Sequence, residues 1–140
     1  MSEEDQQASD ARQSACLILV VEDEFLIAME LESVLVHAGY EVLGPAATVD
    51  TAMGLLAGQK PDAAVLDVNL GRERVTPVAQ ALATREIPFL LASAYLPRDL
   101  ANEPLLSAAV NLGKPTVAAR LLGELGRILR KPSSGPSCLA

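Results

Sequence analysis

The unbroken apolar run Ala63-Ala64-Val65-Leu66, which ends at Asp67 before Val68 and Asn69, is the feature that most restricts the fold. A short run without polar alternation predicts a strand covered on both faces, as in the middle of a parallel sheet. Leu17-Ile18-Leu19-Val20-Val21 is a second such run and ends in Glu22-Asp23-Glu24. Pro88-Phe89-Leu90-Leu91-Ala92-Ser93 and Ala108-Ala109-Val110-Asn111-Leu112 predict two more strands. Glu41-Val42-Leu43-Gly44 predicts a shorter one, closed by Pro45.

Helical patterns separate these runs. From Phe25 to Ala38, residues Ile27, Leu31, Val34, Leu35 and Ala38 share one face, and Gly39 stops the helix. Thr48 is placed to cap a second helix reaching about Ala57. Thr76-Pro77 reads as N-cap and first position of a third, reaching about Arg85. Thr116 reads as the cap of a last helix with Ala118, Leu121, Leu122, Leu125, Ile128 and Leu129 in one stripe. Pro97 and Pro104 interrupt the stretch from Tyr95 to Ser107 and predict a short, irregular fourth helix. Gly71-Arg72-Glu73-Arg74 reads as a loop.

Five strands alternating with helices predict an α/β fold. At 140 residues the leading choice is a flavodoxin-like, doubly wound five-stranded parallel sheet. Its strand order is 2-1-3-4-5, with helices on both faces. One domain is expected over residues 15–130, between a disordered acidic tail at 1–14 and a flexible tail at 131–140. Half the residues are hydrophobic but only 3% are aromatic, so the core must be aliphatic. A net charge of −7 argues against nucleic acid or an anionic membrane as main partner. It suits a cation or a basic protein surface. No stretch is long enough to span a bilayer. Cys16 reads as a buried thiol and Cys138 lies in a polar tail. With no disulfide framework apparent, a reducing, cytoplasmic setting is expected. His37, the one histidine, reads as a last-turn surface residue rather than a phosphoacceptor or ligand.

In open α/β sheets the ligand crevice lies beyond the carboxyl ends of the strands. Taken alone, Asp67 is either an exposed strand-end cap or a reactive group at that rim. The predicted strand order sets Glu22 and Asp23 beside it, with Ser93 and Lys114 ending the next two strands. Three adjacent carboxylates coexist cheaply only with protons or a cation. Oxygen ligands without Cys or His favour Mg²⁺, Mn²⁺ or Ca²⁺ over zinc. Ser93 adds a hydroxyl and Lys114 a compact positive charge. Asp67 is the one obvious nucleophile, and a carboxylate that attacks phosphorus becomes an acyl phosphate.

Four motifs carry a resemblance to a known family: Val20-Val21-Glu22-Asp23-Glu24, Leu66-Asp67-Val68-Asn69, Ala92-Ser93-Ala94 and Gly113-Lys114-Pro115. Over about residues 15 to 130 the chain resembles the receiver domain of two-component response regulators. The resemblance implies that Asp67 accepts a phosphoryl group from a histidine kinase or phosphotransfer protein. It implies Mg²⁺ held by Asp23 and Asp67, by Glu22 mainly through water, and by the backbone carbonyl of Asn69. Lys114 would pair with the phosphoryl group, Ser93 would report its presence, and small Ala94 would leave it accessible. Lys114-Pro115 is expected to be cis. The family usually carries Tyr or Phe where this chain has Asn111, so the usual aromatic coupling is not available there; Tyr95 is a candidate replacement. Leu91-Ala92-Ser93-Ala94-Tyr95 resembles the Phe-Ala-Thr-Gly…Tyr pattern of an alphaproteobacterial receiver subgroup that often works with HWE-type kinases.

The expected function is a stand-alone phosphoacceptor switch, not a turnover enzyme, acting through protein contacts or as a phosphate sink. A monomer or weak dimer is expected. The alternatives are a degenerate receiver used as an interaction scaffold and a small Asp-nucleophile phosphatase. The phosphatase reading lacks an Asp-x-Asp-x-Thr motif after the first strand.

Overall fold

The computed structural model describes residues 15–94 and 97–130. The two predicted tails, Cys138 and the candidate switch residue Tyr95 lie outside the described residues. Four parallel strands form the main sheet: β1 (Leu17–Val21), β2 (Glu41–Ala46), β3 (Ala63–Leu66) and β6 (Phe89–Leu91). Their order is β2-β1-β3-β6, which reproduces the first four places of the predicted topology. β1 and β3 pair without irregularity from Ile18↔Ala63 to Val21↔Leu66. All four residues of β3 are buried, as an apolar run without alternation requires.

The pleat sends alternate residues to opposite faces. Leu19, Val21, Ala64 and Leu66 meet Ala52 and Leu56 of α2 (Val49–Gly58) and Val78, Ala79 and Leu82 of α3 (Thr76–Thr84). Ile18, Val20, Ala63 and Val65 meet Leu31 and Leu35 of α1 (Phe25–His37) and Leu121 and Leu125 of α5 (Ala118–Leu129). Helices thus cover both faces. Among the described residues no helix is long and apolar enough to cross a membrane.

Several local expectations are corrected. β2 does not stop before Pro45 but runs to Ala46 through a cis Gly44-Pro45 bond. Gly44 sits at φ +98°, and a Cβ there would lie 2.8 Å from the Ala46 amide nitrogen, so only glycine fits. The predicted loop after β3 folds back as a hairpin of β4 (Asn69–Leu70) and β5 (Glu73–Arg74). Thr48 does cap α2, accepting from the Thr51 amide at 3.1 Å. Thr76 falls just inside α3, with Val75 at the cap. Thr116 is not a helix cap; its hydroxyl donates to the Gly113 carbonyl at 2.9 Å, and α5 opens two residues later. The proline-interrupted segment is a 3₁₀ turn (Pro97–Leu100) followed by the single turn α4 (Pro104–Ser107), as the prolines predict.

The fifth strand is the largest departure. Among the described residues, Ala108–Leu112 contributes one isolated parallel bridge, Leu91↔Asn111. The chain enters from α4 and leaves through a turn at Gly113 with φ +82°, so little of it runs alongside β6. Cys16 is buried as expected but is disulfide-bonded rather than a thiol, which removes its support for a reducing compartment.

Candidate functional site

Sheet hydrogen bonding runs one rung past the strand ends and fixes the rim. The Glu22 amide donates to Ala46 O at 2.9 Å, the Asp67 amide to Val21 O at 2.9 Å and the Ala92 amide to Leu66 O at 2.9 Å. The backbones that carry Glu22, Asp67 and Ser93 are therefore locked to neighbouring strands before their side chains diverge. Carboxylate oxygens of Glu22, Asp23 and Asp67 lie within 4.8 Å of one another. Asp23, Glu24, Asp67, Asn69, Gly71, Ser93, Ala94 and Lys114 line one open pocket. Asp67 is 6% exposed but faces that pocket.

Lys114 holds the acidic cluster together. Its Nζ donates to Asp67 Oδ2 at 3.0 Å and to Glu22 Oε2 at 3.4 Å, and lies 3.7 Å from Glu24 Oε1. The Lys114-Pro115 bond is cis. Burial alone would lower the Lys114 pKa, but Asp67 and Glu22 outweigh it and hold the ammonium above its usual range. Glu22 is 2% exposed, and burial pushes its carboxyl up to about 7. The Glu24 amide, which donates to Glu22 Oε2 at 3.0 Å, opposes that rise; the charge of Asp67 adds to it and Lys114 again opposes it.

The donors present fit a hard divalent cation. The set is all oxygen, the three carboxylates converge, and buried Glu22 Oε1 has no hydrogen-bond partner among the described residues, although the ammonium lies 3.3 Å away. Asn69 opens the β4–β5 hairpin and borders the same pocket. Gly71 escaped the sequence reading: its amide donates to Asp23 Oδ2 at 2.9 Å and ties the hairpin tip to the acidic cluster. The one signal for it was a glycine four residues past Asp67, here with φ +64°.

Ser93 is 2% exposed and shares the pocket with exposed Ala94. Asn111 is half-buried one strand further out, and its Oδ1 accepts from the Ser93 amide at 3.1 Å and the Gly113 amide at 2.9 Å. His37 ends α1 with Nδ1 2.8 Å from the Ser33 carbonyl oxygen, outside this cluster.

No protein-family model matches the sequence. The chain is 36% identical over 84 residues to the transcriptional regulatory protein PdtaR of Mycobacterium tuberculosis, covering 59% of this chain and 41% of PdtaR. It is 35% identical over 96 residues to the phyllosphere-induced regulator PhyR of Methylorubrum extorquens, covering 66% of this chain and 36% of PhyR. The chain thus spans about two fifths of the curated relatives it matches. The solution structure of the PhyR response regulator REC domain from Erythrobacter litoralis superposes with a TM-score of 0.75 at 25% identity, covering 88% of this chain and 96% of that one. These likenesses agree with the strand-end geometry: the chain is similar to the receiver domains of response regulators and shares their fold.

Proposed function

We propose that Asp67 is the phosphoacceptor of a two-component phosphorelay, charged by a histidine kinase or phosphotransfer protein in a Mg²⁺-dependent reaction. One observation carries the reading. Asp67 is the carboxylate that lies both in the convergent acidic cluster and 3.0 Å from the Lys114 ammonium, and it borders an open pocket.

Asp23, Asp67 and the Asn69 carbonyl would hold the cation, with Glu22 contributing through water. When bound there, Mg²⁺ would supply shielding of the incoming phosphoryl charge from the carboxylates and would favour in-line transfer. An oxygen of Asp67 attacks phosphorus, the phosphorus–nitrogen bond of the donor phosphohistidine breaks, and the imidazole leaves with the electron pair and takes up a proton. The Lys114 ammonium moves from Asp67 Oδ2 to a phosphoryl oxygen, which keeps it paired throughout. The Ser93 hydroxyl donates to another, and small Ala94 leaves the phosphoryl group open to water.

The modification adds nearly two negative charges to a rim already rich in acid. That change acts on the segment from Ser93 to Ser107, which carries the short turns Pro97–Leu100 and Pro104–Ser107. Output is then a protein contact, or phosphate storage. Residues 15–130 form the functional unit. Incubation with acetyl phosphate and Mg²⁺ should add one phosphate, detected by intact mass, and Asp67→Asn should abolish it. Labelling that survives in Asp67→Asn would falsify the assignment.

A further inference from the structure

The edge of the sheet ends in an unusual way. A parallel ladder at the Leu91↔Asn111 bridge requires the Leu91 amide to donate to Val110 O and the Leu112 amide to donate to Leu91 O. Both bonds are present, at 2.8 and 2.7 Å. The next rung of a continuing ladder would take the Ser93 amide to the Leu112 carbonyl. The Ser93 amide donates instead to Oδ1 of Asn111 at 3.1 Å. A side-chain oxygen thus occupies the place of the next backbone acceptor, and the strand is released one rung early.

The same oxygen does a second job. It accepts from the Gly113 amide at 2.9 Å, where the chain turns with φ +82°. The carbonyl of Gly113 is held from the other side by the Thr116 hydroxyl, at 2.9 Å. Both polar groups of the glycine are therefore satisfied by side chains, and the turn has no need of a ladder partner. Lys114 leaves this turn with its Nζ 3.0 Å from Asp67 Oδ2. Had the ladder continued, Gly113 would lie opposite Ser93 and the Lys114 amide would be committed to the Ser93 carbonyl.

We propose that Asn111 is a positioning residue whose side-chain oxygen ends the sheet and joins the Ser93 backbone to the turn that aims Lys114 at Asp67. Displacement of Ser93 is thereby transmitted to the Lys114 turn through one shared acceptor. The role falls to the acceptor oxygen of Asn111. The rate consequence rests on the phosphoacceptor reading of Asp67, whereas the structural consequence does not.

The test uses the full chain and three variants. Asn111→Leu keeps the branched side-chain shape and removes the acceptor, Asn111→Ala removes it without bulk, and Asn111→Asp restores it. In Asn111→Leu and Asn111→Ala, hydrogen exchange at the Ser93 and Gly113 amides should accelerate by about tenfold or more, while Val20 and Val65 keep their protection. The initial rate of labelling by acetyl phosphate should fall by about tenfold. Mg²⁺ affinity, read by titration, should stay within about twofold, because the proposed metal donors follow the ends of β1 and β3 and open the hairpin. Asn111→Asp should return exchange and labelling to within about threefold of the parent. Unchanged exchange in both acceptor-less variants overturns the proposal, as does lost labelling that Asn111→Asp fails to restore. If the parent protein takes up no phosphate, the phosphoacceptor reading falls, and exchange at the two amides with its rescue by aspartate decides the role of Asn111.

Discussion

The sheet reaches one rim by two kinds of construction. On the β1–β3 side, four consecutive register pairs place Glu22, Asp23 and Asp67, and backbone bonds continue past the strand ends. On the β6 side, three residues of strand and a single bridge lead to Ser93 and Lys114. There the last groups are set by the side chains of Asn111 and Thr116. The difference follows from what each side must hold. Three mutually repelling carboxylates need backbones that cannot retreat, and a doubly covered ladder supplies them. Under the proposed function, a hydroxyl and an ammonium that follow an added phosphate need backbones that can shift, and side-chain hydrogen bonds yield sooner than a buried ladder.

The sharpest way to break this comparison is to remove core volume on each side. Leu66 is fully buried at the C-terminal end of β3, between β1 and β6, and Leu112 is 5% exposed beside the bridge. Leu66→Ala should cost about 3–4 kcal/mol, because the surrounding ladder cannot collapse into the cavity. Leu112→Ala should cost about 2 kcal/mol, because a lightly paired edge relaxes. Urea denaturation of both variants measures the gap. Equal losses would mean that the two sides are built alike.

A second prediction sharpens what the rigid side bears. The Glu22 carboxyl, ordinarily near 4.5, is pushed up to about 7 by burial. Its folded-state pKa is raised, so the native protein binds this proton more tightly than the unfolded chain does. In the absence of divalent cation, this contribution to stability is therefore complete below about pH 4.5 and is lost as pH rises towards 7. The loss is of order 3 kcal/mol at most. Unfolding free energies measured across that range in EDTA should decline, and Glu22→Gln should flatten the slope. A parent curve that stays level would show that buried Glu22 remains ionised at no cost, with Lys114 sufficient as its partner.

The same division decided what was legible in the sequence. Runs such as Ala63–Leu66 have one comfortable environment, so periodicity alone placed β1, β3 and the two helical layers. The convergence of Glu22, Asp23 and Asp67 followed from strand order without any long-range contact being known. At the edge, local residue types have several uses. Thr116 looks like a helix cap but bonds a glycine carbonyl in the preceding turn. The apolar residues Ala108–Val110 match a strand pattern, yet the turn of α4 before them and the turn at Gly113 after them leave room for one bridge. Gly71-Arg72-Glu73-Arg74 is turn-forming in composition, and its closure as a hairpin depends on distant partners: Gly71 on Asp23, and Glu73 Oε1 accepting from the Val49 amide at 3.1 Å. Side-chain bonds between residues far apart in the chain have no periodic signature.

The smallest expected effect concerns Glu103, which ties the irregular segment to that hairpin. Its Oε2 lies 2.9 Å from Arg74 Nη1, and its other oxygen accepts from the Thr76 hydroxyl at the start of α3. The Arg74 side chain is 41% exposed, so water screens the pair and the net gain in stability is small. Glu103→Gln removes the charge but keeps an acceptor for Thr76, and should cost less than about 1 kcal/mol in urea. Its consequence should instead be local. Amides from Leu100 to Ser107 should exchange faster, because α4 is a single turn and depends on such ties, while β1 and β3 stay protected. A global loss above about 2 kcal/mol would place this segment within the same cooperative unit as the central strands. The contrast between a rigid carboxylate side and a yielding hydroxyl–ammonium side would then have to be abandoned, because the segment next to Ser93 could not shift without unfolding the sheet.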